Sequence, residues 1–344
     1  MATTIPARLL DRPSLDPAAI RDAMGSVETM STVDPALDFS MNLPEGWHGT
    51  FVRDADPRPG QPPVLLFYLT PPEGDVLMLR VFCLRLTREI NPADWLDFWN
   101  ASLGRGLVEI RNHKTSYGIL VDALVHDLDR AVPGTRRVLT VKDGDRLFMI
   151  EAATKTDDPN HVEMMQNVFL LCSTTFQLVN PTSERFAEPF AMVRLAGDAP
   201  LEFLAPESWR QIAQPPEDKP TGGDLLVLDN DDVGAIFLAS KPGHGHSAML
   251  EGAMLDAVVG TGTDIREIDE TPIKVPNAEM GVLVRSGHGL RGEAMEMLVM
   301  SARIESPSHS AAAVLLTPSG QTSAEALAMN RRAYEVLLDS IRPA

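Results

Sequence analysis

The sequence predicts an α+β protein: two tandem copies of one domain, each an antiparallel sheet flanked by helices. Three observations predict it. The tetrapeptide Pro44-Glu45-Gly46-Trp47 returns as Pro206-Glu207-Ser208-Trp209, with Phe39 matched by Leu201 and Met41 by Phe203 ahead of it. Both copies then run through the same order of signals: strand-like runs, an apolar helix pattern closed by Gly, more strand-like runs and a closing amphipathic helix. The length of 344 residues suits two domains, each large enough to bury a core. An internal repeat outranks other signals, because missing it miscalls the whole fold. The boundaries expected are an N-terminal arm over 1–35, a first domain over 36–179, a linker over 180–189 and a second domain over 190–344.

The arm is punctuated by prolines at 6, 13, 17 and 35. Asp16 and Pro17 could open a short helix to Met24, since Pro at the first helical position gives up no hydrogen bond. A partly ordered tail and a docking segment are the two readings of this stretch. In the first domain Phe39, Met41 and Leu43 alternate with polar residues, as in a half-buried strand. Val64 to Leu69 and Val76 to Leu86 flank a turn-rich stretch and predict a hairpin. Asn91 caps a helix with Pro92 at its first position; Trp95, Phe98, Trp99 and Leu103 form its apolar stripe, and Gly104 stops it. Leu107 to Ile110, Tyr117 to His126, Thr135 to Val141 and Arg146 to Ala153 are strand-like, the last two joined by the turn Lys142-Asp143-Gly144-Asp145. Asp158 and Pro159 open a helix with Val162, Met165, Phe169, Cys172 and Phe176 on one face.

The second domain repeats this order. Phe190 to Leu195 reads as a strand added to the sheet, and Leu201 to Leu204 as the counterpart of the opening strand. Residues 214–223 form a loop. Leu225 to Leu228 and Val233 to Ala239 make a hairpin across Asp229-Asn230-Asp231-Asp232. Ser247 caps a helix that Gly260 ends. Ile265 to Ile268, Glu279 to Arg285, Glu293 to Ile304 and Ala311 to Thr317 are strand-like. Thr322 and Glu325 form a capping box for a final helix that buries Leu327, Tyr334, Leu338 and Ile341.

Net charge is −18. The acidity is shared: 17 Lys and Arg stand against 24 Asp and Glu through residue 180, and 13 against 24 after it. With no basic tract, nucleic acid and anionic membrane surfaces are poor partners. Cys83 and Cys172 both lie in apolar patterns and read as small buried hydrophobes, not as a disulfide framework. The first residues lack a continuous apolar run after Arg8 and Arg12, and no run approaches a membrane span. A cytoplasmic, reducing setting is the expectation.

Few motifs carry chemistry. His244 and His246 offer a His-x-His pair, but a metal needs a third or fourth ligand and none can be placed. The alternative is a glycine-rich loop before a helix. Asp229 to Asp232 is acidic enough for calcium but lacks the Gly and the distal Glu of an EF-hand, and a hairpin turn explains it. There is no Gly-x-Ser-x-Gly elbow, no P-loop and no dinucleotide fingerprint, so neither a cofactor nor a catalytic residue is implied. Methionine is the unusual feature, 16 in all. Met295, Met297 and Met300 share one strand-like run, and Met249 and Met254 share one helix. They either fill the core or form an adaptable surface for a hydrophobic segment of a client protein.

The opening Phe39-x-Met41-x-Leu43-Pro44-x-Gly46-Trp47, its echo from Leu201 to Trp209, and the helix order resemble the PsbP-like fold. That fold is shared by PsbP proteins, the Ran-binding Mog proteins and bacterial DcrB-type proteins. The resemblance covers roughly 36–178 and 190–342, with Ser208 departing from the Gly of the pattern. It implies an antiparallel sheet flanked by helices, and a family of assembly factors, adaptors and chaperones instead of enzymes. One branch, the Eag-type chaperones of type VI secretion, holds transmembrane segments of effectors in the cytoplasm. The expectation is therefore a non-enzymatic cytoplasmic adaptor or chaperone of a bacterial secretion or assembly machine, binding an apolar segment of a client. A structural subunit of a larger complex is the rival reading, and a metal-dependent hydrolase using His244 and His246 is the third.

Overall fold

The computed structural model describes residues 8–14, 16, 28–30, 34–72, 76–115, 118–128, 134–213, 223–231, 233–292, 295–320 and 323–344. The helix expected over 17–24 and most of the loop expected over 214–223 lie outside these residues, as does Thr322 of the expected capping box. The chain forms two compact units, one of Met1–Arg88 with Leu96–Ala187, the other of Glu89–Trp95 with Glu188–Ala344.

In the first unit the short strands β1 (Glu28–Met30), β2 (Phe39–Met41) and β10 (Gln177–Leu178) make a small antiparallel sheet in the order β1-β2-β10. The strand β1 falls within the stretch expected to be an arm. The main sheet has seven strands in the order β3-β4-β5-β9-β8-β7-β6. They are β3 (His48–Phe51), β4 (Val64–Thr70), β5 (Leu77–Arg85), β6 (Arg105–Thr115), β7 (Gly118–Asp127), β8 (Thr135–Asp143) and β9 (Arg146–Thr154), antiparallel throughout. Helix α1 (Pro92–Ser102) leads into β6, and α2 (Pro159–Ser173) follows β9. Alternation along β5 sends Leu79, Val81 and Cys83 to the core side, with Arg80 and Phe82 opposite. The core side packs against α2 through Val162, Met165, Phe169 and Cys172. Phe39 and Phe148 both stack near Phe176, with centroids 5.2 and 6.0 Å away. Each such buried ring contributes about 1.5–3 kcal/mol. Burial pushes both the Cys83 and Cys172 thiols up to about 12, so they sit as inert hydrophobes.

The second unit repeats the order of the first, with one strand more in its main sheet. Its small sheet is β11-β12-β21, from β11 (Phe190–Leu195), β12 (Leu201–Pro206) and β21 (Arg342–Pro343). The sequence placed Phe190 to Leu195 as an extra strand of the main sheet; it pairs with β12 alone, residue by residue from Phe190 opposite Pro206 to Leu195 opposite Leu201. The main sheet runs β13-β14-β15-β20-β19-β18-β16, with β17 also on β18. These are β13 (Arg210–Ala213), β14 (Asp224–Asp229), β15 (Ala235–Pro242), β16 (Thr263–Ile268), β17 (Ile273–Val275), β18 (Gly281–Arg291), β19 (Met295–Glu305) and β20 (His309–Pro318). Helix α3 (Ser247–Gly260) stands where α1 stands, and α4 (Ala324–Ser340) where α2 stands. The face under α4 buries Tyr334, Leu337 and Leu338 against Ile236, Leu238 and Leu315. The face under α3 buries Leu250, Met254 and Val258 against Met297, Val299 and Val314.

The repeated tetrapeptide does the same work twice. Phe39, Met41, Leu201 and Phe203 are all fully buried. The amide of Trp47 bonds to the carbonyl of Pro44 at 3.2 Å, and that of Trp209 to Pro206 at 3.1 Å. Gly46 takes a φ of +78°, which favours glycine. Ser208 does not take a positive φ, so its side chain is allowed, and its hydroxyl donates to Glu188 Oε2 at 2.5 Å.

One expected cap differs. Ser247 is the first residue of α3, with His246 ahead of it and no side-chain cap bond. The orphan amides of Gly245 and Ser247 are taken instead by the carboxylate of Glu305, at 3.1 and 3.0 Å. Helix α4 starts after Ser323 without a side-chain cap bond. No described helix is long and apolar enough to cross a membrane.

Candidate functional site

A groove of about 760 Å³ lies in the first unit between α2 and the β6–β8 side of its sheet. Its walls are mostly apolar, with Leu120, Leu139, Val141, Phe169, Phe176 and Leu178 among them. One polar device spans it. Arg137, on β8, is fully buried, and donates to both oxygens of Asp122 on β7, at 3.0 and 2.6 Å. Its guanidinium also sits 4.8 Å over the ring of Phe169 and donates to Gln166 Oε1 at 3.2 Å. A buried guanidinium is tolerated only with bonds of this quality.

Gln166 links that device to the chain's own N-terminal segment. Its Oε1 accepts from the amide of Leu10 at 2.9 Å, and its Nε2 donates to the carbonyl of Arg8 at 2.9 Å. A side-chain amide thus pairs with one residue's N–H and another's C=O, as a neighbouring strand would. Around it Glu109 Oε2 accepts from the amide of Leu9 at 2.9 Å, and Asn167 Oδ1 from that of Ser14 at 2.8 Å. The Ser14 hydroxyl donates to Glu163 Oε1 at 2.6 Å. Arg111 donates to the carbonyl of Leu9 at 3.2 Å, and its guanidinium pairs with Asp11 and Glu109. The bond from the Leu9 amide, then Arg111, hold the Glu109 carboxyl below its usual range. The Leu9 side chain is buried. A stretch of the chain's own peptide therefore already lies along one rim of the groove, held largely through its backbone, and Leu10 and Asp11 form part of the groove wall.

The five methionines do not share one surface. Met254 and Met297 are buried together in the core under α3. Met300 packs on the opposite side of the sheet, against the core under α4. Met249 and Met295 are exposed, at 48% and 51%. Strand alternation separates Met297 from Met300, since odd and even positions of β19 face opposite ways.

His244 is an exposed loop residue whose Nδ1 lies 3.2 Å from both Glu305 Oε2 and the carbonyl of Ser306. His246 precedes α3 and donates its amide to Ser310 Oγ at 3.0 Å. Among the described residues no group of three or more His, Cys, Asp or Glu side chains is arranged to hold a metal ion. Asp229 and Asn230 belong to the β14–β15 turn, with the Asn230 amide bonded to Gly234 at 2.9 Å.

The sequence did not single out the groove's polar residues. Glu109, Gln166 and Asn167 are ordinary polar residues far from Leu9, Leu10 and Ser14 in sequence, and no local spacing joins them. The signal that was present is the pair Arg136-Arg137 ahead of the apolar Val138, Leu139 and Val141 of one strand, with Asp122 in the strand beside it.

No family model matches the chain, and no curated protein matches it. Solved structures with similarity include the solution structure of cyanobacterial PsbP (CyanoP) from Synechocystis sp. PCC 6803. It is 14% identical, covering 44% of this chain and 92% of that one, at a TM-score of 0.32. The apo structure of the T6SS immunity protein TplEi from Pseudomonas aeruginosa is 11% identical over 89% of this chain and 94% of that one, at a TM-score of 0.24. The Tle4–Tli4 complex matches at 11% identity over 80% of this chain and 94% of the matched chain, at a TM-score of 0.22. What this chain binds has to come from its own residues.

Proposed function

We propose that this chain is a non-catalytic protein-binding module whose first unit holds an apolar, extended segment of a partner protein in the groove beside α2. One observation carries the reading. The groove rim grips a stretch of peptide through backbone bonds from Glu109, Gln166 and Asn167, while the remaining 760 Å³ presents apolar side chains. Main-chain bonds supply affinity and apolar pockets supply selection, as in other modes of extended-peptide recognition. The acidic chain makes nucleic acid a poor partner. The finer reading, an adaptor or chaperone of a bacterial secretion or assembly machine working in the cytoplasm, follows from the resemblance of the two tetrapeptide-bearing copies.

The test is photo-crosslinking inside the native cell, with p-benzoylphenylalanine in place of Leu139 in the groove wall. The expected product is a covalent adduct with a second protein, attached at an apolar stretch mapped by mass spectrometry and lost when Gln166→Ala is added. Adducts only within this chain, or adducts indifferent to Gln166→Ala, would overturn the proposal.

A further inference from the structure

The opposite face of the first unit's sheet holds a second enclosure. A cavity of about 260 Å³ lies between α1 and strands β5, β8 and β9. Its floor is charged. Glu151 on β9 is 4% exposed. It accepts from Arg136 at 2.9 Å and Arg105 at 3.2 Å, and it pairs with Arg80. Asp127 takes two bonds from Arg136, at 2.9 and 3.0 Å, and lies 3.4 Å from Arg105 Nε. Among the described residues three guanidiniums thus meet two carboxylates, one positive charge more than the negative. The walls are apolar, led by Phe82, Trp99, Val138 and Met149.

Two atoms of the lining residues are unspent. Arg80 Nε and Asn100 Oδ1 are buried and have no hydrogen-bond partner among the described residues. Asn100 is only 1% exposed. Its Nδ2 already donates to the Leu96 carbonyl at 2.8 Å, so its oxygen remains free to accept. Native interiors rarely leave such atoms unmatched. The corresponding face of the second unit shows the satisfied alternative. There the buried Glu251 accepts from Ser301 at 2.6 Å and from Arg285 at 3.1 Å on one oxygen, and from Arg303 and Arg285 on the other at 2.5 and 2.6 Å. The rest of that face is filled by Leu250, Met254, Met297 and Val299. The architecture does not itself require an open polar cavity on this side of the sheet.

We propose that the cavity under α1 binds a small monoanionic carboxylate with a single-ring apolar body and one hydrogen-bond donor. The carboxylate would accept from Arg80 Nε and offset the excess charge, the ring would pack against Phe82 and Trp99, and the donor would satisfy Asn100 Oδ1. The volume is below the roughly 300–1,000 Å³ of sites for drug-sized ligands, which restricts the occupant to about one ring.

The probe is 4-hydroxybenzoate, titrated into the full chain by calorimetry beside benzoate, which lacks the donor, and 4-hydroxybenzamide, which lacks the charge. The first should bind about tenfold more tightly than either of the others, the worth of one hydrogen bond to a buried group. Asn100→Leu should erase the preference over benzoate. Leu103, 43% exposed, belongs to the lining. Leu103→Trp should weaken all three ligands without disturbing the charged floor, and it keeps the test decisive if Asn100→Leu does not fold. Equal affinities for the three, no heat at millimolar ligand, or binding unchanged by Leu103→Trp would each overturn the proposal.

Discussion

Arg137 is the largest of the fully buried side chains. Taking a guanidinium out of water costs several kcal/mol, which Asp122, Gln166 and the face of Phe169 offset together. The physics of such a pair is asymmetric. Removing one partner strands the other charge, whereas removing both leaves a well-packed apolar site. Arg137→Met should therefore lower unfolding free energy by about 3–5 kcal/mol, and the double variant Asp122→Leu with Arg137→Met should recover most of that. Urea titrations of both variants check it. A double variant as unstable as the single would mean that the stabilisation comes from packing and not from charge compensation. Residue-level reading of the sequence found the apolar side of this region, because periodicity reports where hydrophobes go. It passed over Asp122 and Gln166, because a polar side chain gives no sign of whether it faces water or a buried partner.

At the scale of elements, Asn330 ties helix α4 to the β14–β15 turn. It is fully buried. Its Nδ2 donates to the carbonyl of Val233 and to Thr317 Oγ1, both at 2.9 Å, and its Oδ1 accepts from Asn230 at 2.7 Å. A Cβ on Gly234 would come within 2.2 Å of that Nδ2, which is why the turn carries a glycine there. Asn330→Leu leaves the buried Asn230 amide and the Val233 carbonyl unpaired, at about 1–3 kcal/mol each. The expected loss is about 3 kcal/mol by chemical denaturation, and Gly234→Ala should be destabilising through the same contact. A loss under about 0.5 kcal/mol, the size of an ordinary surface substitution, would show that the tie is dispensable. The long strands β4, β5, β8, β9, β15, β19 and β20 were legible, since each has enough apolar or alternating positions to announce itself. The strands β1, β3, β10, β13, β17 and β21 were not, because segments of two to four residues carry no period. They exist through pairing with neighbours already in place. The cap of α3 was misread for a related reason. Glu305, which accepts the amides at that end, is 58 residues from Ser247.

For the molecule as a whole, acid should be the weak side. Burial alone would raise the carboxyls of Glu151, Glu251 and Glu305, but the arginine, serine and backbone groups bonded to them hold each below its ordinary value of 4.5. A depressed carboxyl contributes stability that is present above its unfolded value and lost as pH falls through its folded one. Burial lowers His126 below 6.5, so it works in the same direction. Glu335, raised by burial, has the opposite sign: its contribution is full below 4.5 and lost as pH rises through its folded value. With four depressed carboxyls, Glu109 among them, against one raised among the described residues, Tm should fall between about pH 7 and pH 4, most steeply below 4.5. Glu251→Gln should show a smaller fall over that range, as scanning calorimetry can measure; a fall equal to the parent's would exclude Glu251 as a source. The doubled architecture was readable from two tetrapeptides, and among the described residues the occupied rim belongs to the first copy. At that rim the amide hydrogens of Leu9, Leu10 and Ser14 and the carbonyl oxygens of Arg8 and Leu9 are held beside the Ser14 hydroxyl and the Asp11 carboxylate. The backbone part of that grip is indifferent to side-chain identity except in one respect. Proline has no amide hydrogen, and in this chain Pro13 falls between Leu10 and Ser14, at a place where none is requested. A visiting strand would be screened first for where its prolines fall, and only afterwards for how greasy it is.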